Sequence, residues 1–176
     1  MNGRLETTAE GVWANGEVAG SPQFTHVAFG DFRILRDNFN GGNRTTEGRL
    51  IPFSLFTDPE LALVGLSETE AKAKETPYLL FKIPMSSVLR TRTLSEMRGF
   101  MKALVGTDDR ILGFTVFGTN GGEIMSGIQI AMIGGLRYTA LRDAILAHPT
   151  LMEGLIALFS SVPTSVDLHK SMPEAR

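Results

Sequence analysis

The sequence predicts an α+β domain, an antiparallel sheet with helices packed on one side in the order β-α-β-β-β-α-α, behind a short strand-turn-helix segment. Three observations carry this expectation. Two strand-like runs, Gly99–Val105 and Ile111–Thr119, are joined by the polar stretch Gly106-Thr107-Asp108-Asp109-Arg110, and strands linked by so short a turn pair antiparallel. That element order is neither a repeat array nor a regular alternation of strand and helix, and no G-x-G-x-x-G follows a strand, which sets aside a doubly wound sheet. Finally, 176 residues of which 43% are apolar suffice for one sizeable core and a small appendage.

Taken in order, Val12-Trp13-Ala14 reads as a strand, Asn15-Gly16-Glu17 as a turn, and Ser21-Pro22 as the entry to a helix running to about Phe39. Along that helix Phe24, Val27, Ala28, Leu35 and Phe39 can share an apolar stripe, while Asp31, Arg33 and Arg36 can face water. One strand and one helix cannot bury their own faces, so this segment reads as the tail of a larger unit, followed by a linker from Asn40 to Arg49.

Ile51 to Phe56 then reads as a strand with Pro52 near its start. Residues 56 to 67 carry Asp58-Pro59 and Gly65 and read as a structural loop. Ser67 with Glu70 makes a capping-box pattern and Glu70 with Lys74 a favourable pair, predicting a short helix from Ser67 to Lys74. Strands follow at Tyr78–Ile83, Gly99–Val105 and Ile111–Thr119, then helices over Gly122–Leu136, Thr139–Ala147 and Pro149 to about Ser161. The tail from Pro163 to Arg176, with His169, reads as disordered or lightly docked.

Composition narrows the chemistry. Seventeen basic against nineteen acidic residues, for a net charge of -2, give no electrostatic footprint for nucleic acid or an anionic membrane. Cysteine is absent, which excludes disulfides, thiolate zinc sites and a redox or nucleophilic thiol from this sequence. The first residues are polar, the longest apolar stretch, Ile124–Leu136, is too short and interrupted to span a bilayer, and a cytoplasmic location is the default expectation. Three separated histidines, His26, His148 and His169, show no metal-binding spacing, so no metal site is expected.

Two segments could carry chemistry. In Ala147-His148-Pro149-Thr150-Leu151-Met152-Glu153-Gly154, Pro149 suits the first position of a helix, with His148 just before it and Glu153 in its second turn. A carboxylate bonded to one imidazole nitrogen would fix the tautomer and leave the other nitrogen to exchange a proton. The spacing alone equally allows a histidine cap beside an unrelated surface glutamate. In Gly11 to Val18, Gly16 would let a cofactor approach the backbone and Glu17 would accept from sugar hydroxyls, although an ordinary strand-to-helix turn uses the same residues.

Three strings occur in order: G-V-W-A-N-G-E-V with P-Q-F-T-H-V-A, then F-T-D-P-E-L-A-L-V-G-L-S-E-T-E-A, then A-H-P-T-L-M-E-G. Together they resemble the C-terminal part of the pyridine nucleotide-disulphide oxidoreductases, which include dihydrolipoamide dehydrogenase, glutathione reductase and mercuric reductase. The resemblance covers about Thr7 to Phe159, and its last string looks closest to the mercuric-reductase-like branch.

The resemblance implies that residues 1 to 45 are a remnant of an FAD-binding domain and its linker, residues 50 to 165 a dimerisation domain, and residues 166 to 176 a tail. His148 and Glu153 match the family's His–Glu dyad, which reaches across a homodimer two-fold and handles protons for a thiol beside the flavin. Gly16 and Glu17 match the turn that holds the FAD ribityl chain, where Glu17 replaces the family's usual aspartate and is longer by about one C–C bond. Phe24, Thr25 and His26 match the helix start facing the flavin ring. The implied cofactors of the intact protein are FAD and NAD(P)H. The N-terminal FAD/NAD(P) half is missing, so this chain alone is expected to be inactive and FAD-free. A homodimeric interaction module without catalysis is the rival reading.

Overall fold

The computed structural model describes residues 1 to 166, in two units that divide between Ile51 and Pro52. Residues 167 to 176, including His169 and most of the expected tail, lie outside the described residues.

The first unit is organised by helix α1, Thr25–Phe39. Its buried face is Val27, Asp31 and Ile34, at helical spacing. Asp31 thus corrects the expectation of a water-facing residue: it is fully buried. Its carboxylate takes a role the apolar stripe cannot reveal, accepting the Gly16 N–H at 2.9 Å and the Ser21 hydroxyl at 2.7 Å and pairing with the Arg49 guanidinium. The Ser21 hydroxyl is bonded to Asp31 instead of capping a helix, and α1 begins beyond Ser21-Pro22. Phe24, still extended at φ -132 and ψ 136, is its N-cap. Phe39, expected in the stripe, is 60% exposed and meets Trp13 edge-on at 4.8 Å. The strand expected over Val12–Ala14 reduces to an isolated bridge between Glu6 and Trp13, and Gly16–Ala19 forms a short 3-10 helix.

The second unit is built on six antiparallel strands: β1 Phe53–Leu55, β2 Glu60–Gly65, β3 Tyr78–Pro84, β4 Phe100–Val105, β5 Ile111–Gly118 and β6 Thr164–Val166. Their order across the sheet is β1-β2-β5-β4-β3-β6. Two of these strands correct the sequence reading. Residues 56 to 67 are not a loop, for β2 pairs with β5 from Glu60↔Gly118 to Gly65↔Gly113. Within it Ala62 and Val64 are buried and Leu61 and Leu63 only partly so, the period of two that marks a strand. The tail also contributes a strand, since Thr164–Val166 pairs with Leu80–Tyr78 of β3. In contrast, the strand expected over Ile51–Phe56 is only Phe53–Leu55.

Registers Val64↔Phe114↔Ala103↔Phe81 and Ala62↔Val116↔Met101↔Ile83 run across the sheet and place these eight buried side chains on one face. Helix α4, Gly121–Ile133, packs against β2 and β5 and buries Ile124, Met125, Ile128 and Ala131. Helix α6, Gly154–Ser160, packs on β3 and β4, and α5, Tyr138–Arg142, packs against it. There Phe81, Tyr138 and Phe159 form a ring cluster with centroids 5.1 to 5.7 Å apart, geometry that favours aromatic pairs. Helix α2, Glu68–Ala73, has both halves of the capping box between Ser67 and Glu70 and sets Ala71 on Tyr78 and Leu104.

The remaining differences are one further helix, α3, Leu89–Thr93, and the ends of others: α4 stops at Ile133 instead of Leu136, α5 at Arg142 instead of Ala147, and α6 begins at Gly154 instead of Pro149. Pro149, which follows a cis peptide, therefore does not occupy a first helical position.

Candidate functional site

The delayed start of α6 leaves residues 147 to 153 as a closed turn carrying His148 and Glu153. His148 Nδ1 lies 2.9 Å from Glu153 Oε1. The imidazole is 64% exposed and the carboxylate 20%, so a largely buried acceptor orients an accessible ring. With Nδ1–H donated to the carboxylate, Nε2 is the nitrogen left to take or give a proton.

Glycine contacts hold this turn against the fold. Gly154 is buried, and a Cβ there would come within 2.7 Å of Val88 Cγ2 and 2.8 Å of Met101 Cε, so only glycine lets α6 start this close to β4. A Cβ at Gly127 of α4 would likewise meet the Met152 methyl at 2.5 Å. Met152 and Gly154 thus dock either side of Glu153 onto different elements. Sequence reasoning passed over both, although the Gly after Glu153 was a signal for close approach. Thr150 was also passed over: its N–H donates to Glu153 Oε2 at 3.2 Å.

The other expected site residues lie in the first unit. Gly16 is buried with φ +71 and is anchored by its N–H on Asp31. Glu17 follows it in the 3-10 turn and is exposed; its carbonyl accepts the Gly20 N–H at 2.9 Å, while its carboxylate is engaged by no hydrogen bond or ion pair among the described residues. Thr25 is the first residue of α1, and the Phe24 and His26 rings stack with centroids 5.1 Å apart and planes 14° from parallel. Burial alone would push the Asp31 carboxyl up. The hydrogen bonds from Ser21, Gly16 and Arg49, with the charge of Arg49, overcome it and hold the group below its ordinary value. Among the described residues no group of three or more His, Asp or Glu could hold a metal ion, and no helix is long and apolar enough to cross a membrane.

Fold and site together define an α+β domain that presents a braced imidazole–carboxylate pair on the turn before its last helix. The chain belongs to the pyridine nucleotide-disulphide oxidoreductase family, whose dimerisation domain matches residues 51–158. It is 37% identical over 162 residues to the probable pyridine nucleotide-disulfide oxidoreductase RclA of Escherichia coli, covering 90% of this chain and 37% of that protein. It is 34% identical to the dihydrolipoyl dehydrogenase of Thermus scotoductus, covering 89% of this chain and 34% of that one. The mercuric reductase of Shewanella putrefaciens is 30% identical, with 88% of this chain and 28% of that protein covered. The solved structure of the HOCl-induced flavoprotein disulfide reductase RclA from Escherichia coli superposes with a TM-score of 0.86 at 36% identity, over 91% of this chain and 38% of that one. The chain therefore spans about a third of the length of these relatives.

Proposed function

We propose that this chain is the C-terminal, dimerising part of an FAD- and NAD(P)H-dependent pyridine nucleotide-disulphide oxidoreductase. The first unit completes the FAD-binding domain, and the second pairs two subunits and contributes His148 and Glu153 to proton transfer at the partner's thiol site. The location is cytoplasmic. The observation that carries this reading is the 2.9 Å contact between His148 Nδ1 and Glu153 Oε1.

The chemistry of this chain follows from that contact. Glu153 accepts the Nδ1 proton and fixes the tautomer, so Nε2 is the basic atom. When Nε2 takes a proton from a thiol, the carboxylate stabilises the imidazolium. Bound FAD supplies the two-electron relay between NAD(P)H and a disulphide. The first unit suits the ribityl chain: the exposed, unengaged Glu17 carboxylate stands beside the anchored Gly16, and the opening turn of α1 favours electron-rich ring atoms. With no cysteine in its sequence, the chain is inactive by itself. Pairing of two chains is supported by Ile130, Ile133 and Leu136, which are exposed on and after α4 and suit an apolar interface.

The test joins this chain to the N-terminal remainder of Escherichia coli RclA. The expected chimera is a dimer that binds FAD and reduces a disulphide with NAD(P)H. His148→Ala then lowers thiol–disulphide turnover roughly a hundredfold, as loss of a general acid–base does, with flavin reduction unchanged. Unchanged turnover removes the dyad from the mechanism. A dimeric chimera that never turns over favours an interaction module instead.

A further inference from the structure

The His148–Glu153 contact has a supporting hydrogen-bond circuit that centres on one residue. Glu153 uses both carboxylate oxygens: Oε1 faces His148 Nδ1 at 2.9 Å, and Oε2 accepts the Thr150 N–H at 3.2 Å. The Thr150 hydroxyl accepts the Glu153 N–H at 3.2 Å and donates to the Ala147 carbonyl at 2.8 Å. Direction is unambiguous in this pair, because an amide N–H can only donate and a carbonyl can only accept. The single hydroxyl proton is committed to Ala147, so a lone pair is available to Glu153. The result is a reciprocal clamp between residues 150 and 153, the capping-box pattern, closed onto the residue before His148.

Such a clamp matters because an exposed histidine and a glutamate five residues apart would ordinarily lose most of their attraction to solvent screening and side-chain entropy. Here the carboxylate is held at its second oxygen, and the same threonine fixes the backbone at both ends of the turn. We propose that Thr150 is the positioning residue of the dyad, whose hydroxyl sets the turn that aims Glu153 Oε1 at His148 Nδ1 and so selects the Nδ1–H tautomer. This rests on the proton-transfer reading given above for the pair.

Thr150→Val keeps the branched shape and removes both hydroxyl contacts, whereas Thr150→Ser keeps them. The test is imidazole 15N NMR on the full chain, at a pH where the His148 ring is neutral, with His26 as internal reference. The wild type shows His148 predominantly as the Nδ1–H tautomer. Thr150→Val lowers the ratio of Nδ1–H to Nε2–H roughly fivefold, the size expected from about one net hydrogen bond. Thr150→Ser restores it, and the His26 signals stay fixed in both. An unchanged ratio in Thr150→Val, or failure of Thr150→Ser to restore it, overturns the proposal.

Glu153→Ala separates this from the reading beneath it. If that change leaves the tautomer ratio untouched, the dyad itself is wrong; if it collapses the ratio while Thr150→Val does not, only the role of Thr150 fails. Should Thr150→Val not fold, the wild-type chain still decides. Three-bond couplings across Glu153 χ1 must report one rotamer, and averaging among rotamers overturns the clamp.

Discussion

Two turns carry the candidate functional groups of this protein, and opposite means brace them. Around Gly16 and Glu17 the brace is a buried charge: Asp31 gathers the Gly16 N–H, the Ser21 hydroxyl and the Arg49 guanidinium. Around His148 and Glu153 it is neutral: a threonine hydroxyl, peptide groups, and close packing at Gly127 and Gly154. Charge suits the first turn because its unit has little apolar core, essentially Leu5, Val27 and Ile34, from which to hold a backbone in place. The second turn lies on a unit with a full sheet-and-helix core, where steric fit is available. The first should therefore respond to charge and acid, and the second to volume.

Asp31→Ala should have the largest effect. It leaves the Arg49 cation and the Gly16 N–H without their partner, and breaking such a pair costs about 3 kcal/mol or more. Trp13, the single tryptophan, sits in this unit, so its fluorescence during urea unfolding reads the loss there directly. A shift below about 1 kcal/mol would mean that the charge does not brace the turn. The acid response has a definite sign. Because the folded Asp31 carboxyl lies below the ordinary value of 3.8, its stabilisation is complete above that pH and is lost as pH falls through the folded value. The Trp13 transition should therefore lose stability below about pH 3.8 in the wild type, and do so less in Asp31→Asn.

Gly154→Ala comes second. The added methyl meets Val88 and Met101 at 2.7 to 2.8 Å, an overpacking that costs about 1–3 kcal/mol. Far-UV circular dichroism during unfolding should show this loss in the sheet-bearing unit, while the Trp13 signal keeps its midpoint. A matching fall in the Trp13 midpoint would defeat the claim that this brace is local.

What the sequence disclosed follows the same division between local and distant partners. The α2 cap was legible because Ser67 and Glu70 satisfy each other within one turn. The hairpin between β4 and β5 was legible for the same reason. Strand β2 was hidden because Asp58-Pro59 and Gly65 punctuate its ends and its alternation is carried by Leu, Ala, Leu and Val, all apolar. Asp31 was assigned to water because a polar residue on an amphipathic helix reads as solvent-facing, and its three partners lie 10 to 18 residues away. The spacing of His148 and Glu153 left their contact open; Thr150 and Glu153 repeat the spacing of the Ser67–Glu70 box, and that clamp, with the packing at Gly154, holds the turn on which the two meet.

The smallest effect should come from a charge pair in the second unit that looks, on paper, like the Asp31–Arg49 pair. Lys102 Nζ lies 2.6 Å from Glu68 Oε1, with the two side chains 20% and 32% exposed. The hydrogen bond from Lys102 is the main reason Glu68 is held below its ordinary value, with burial opposing it and the charges of Lys102, Lys72 and Lys82 adding to it. Glu68 nonetheless has one donor where Asp31 has three, and Lys72 and Lys82 leave it in a cationic field after Lys102 is removed. Lys102→Met should therefore cost no more than about 1 kcal/mol, the upper end for a pair that water still reaches, because Glu68 keeps its contact with water and the methionine stem keeps the packing of the lysine chain. Urea unfolding followed by circular dichroism measures it. A loss matching that of Asp31→Ala would show that charge braces both units alike, and the contrast between them would have to be drawn from packing alone.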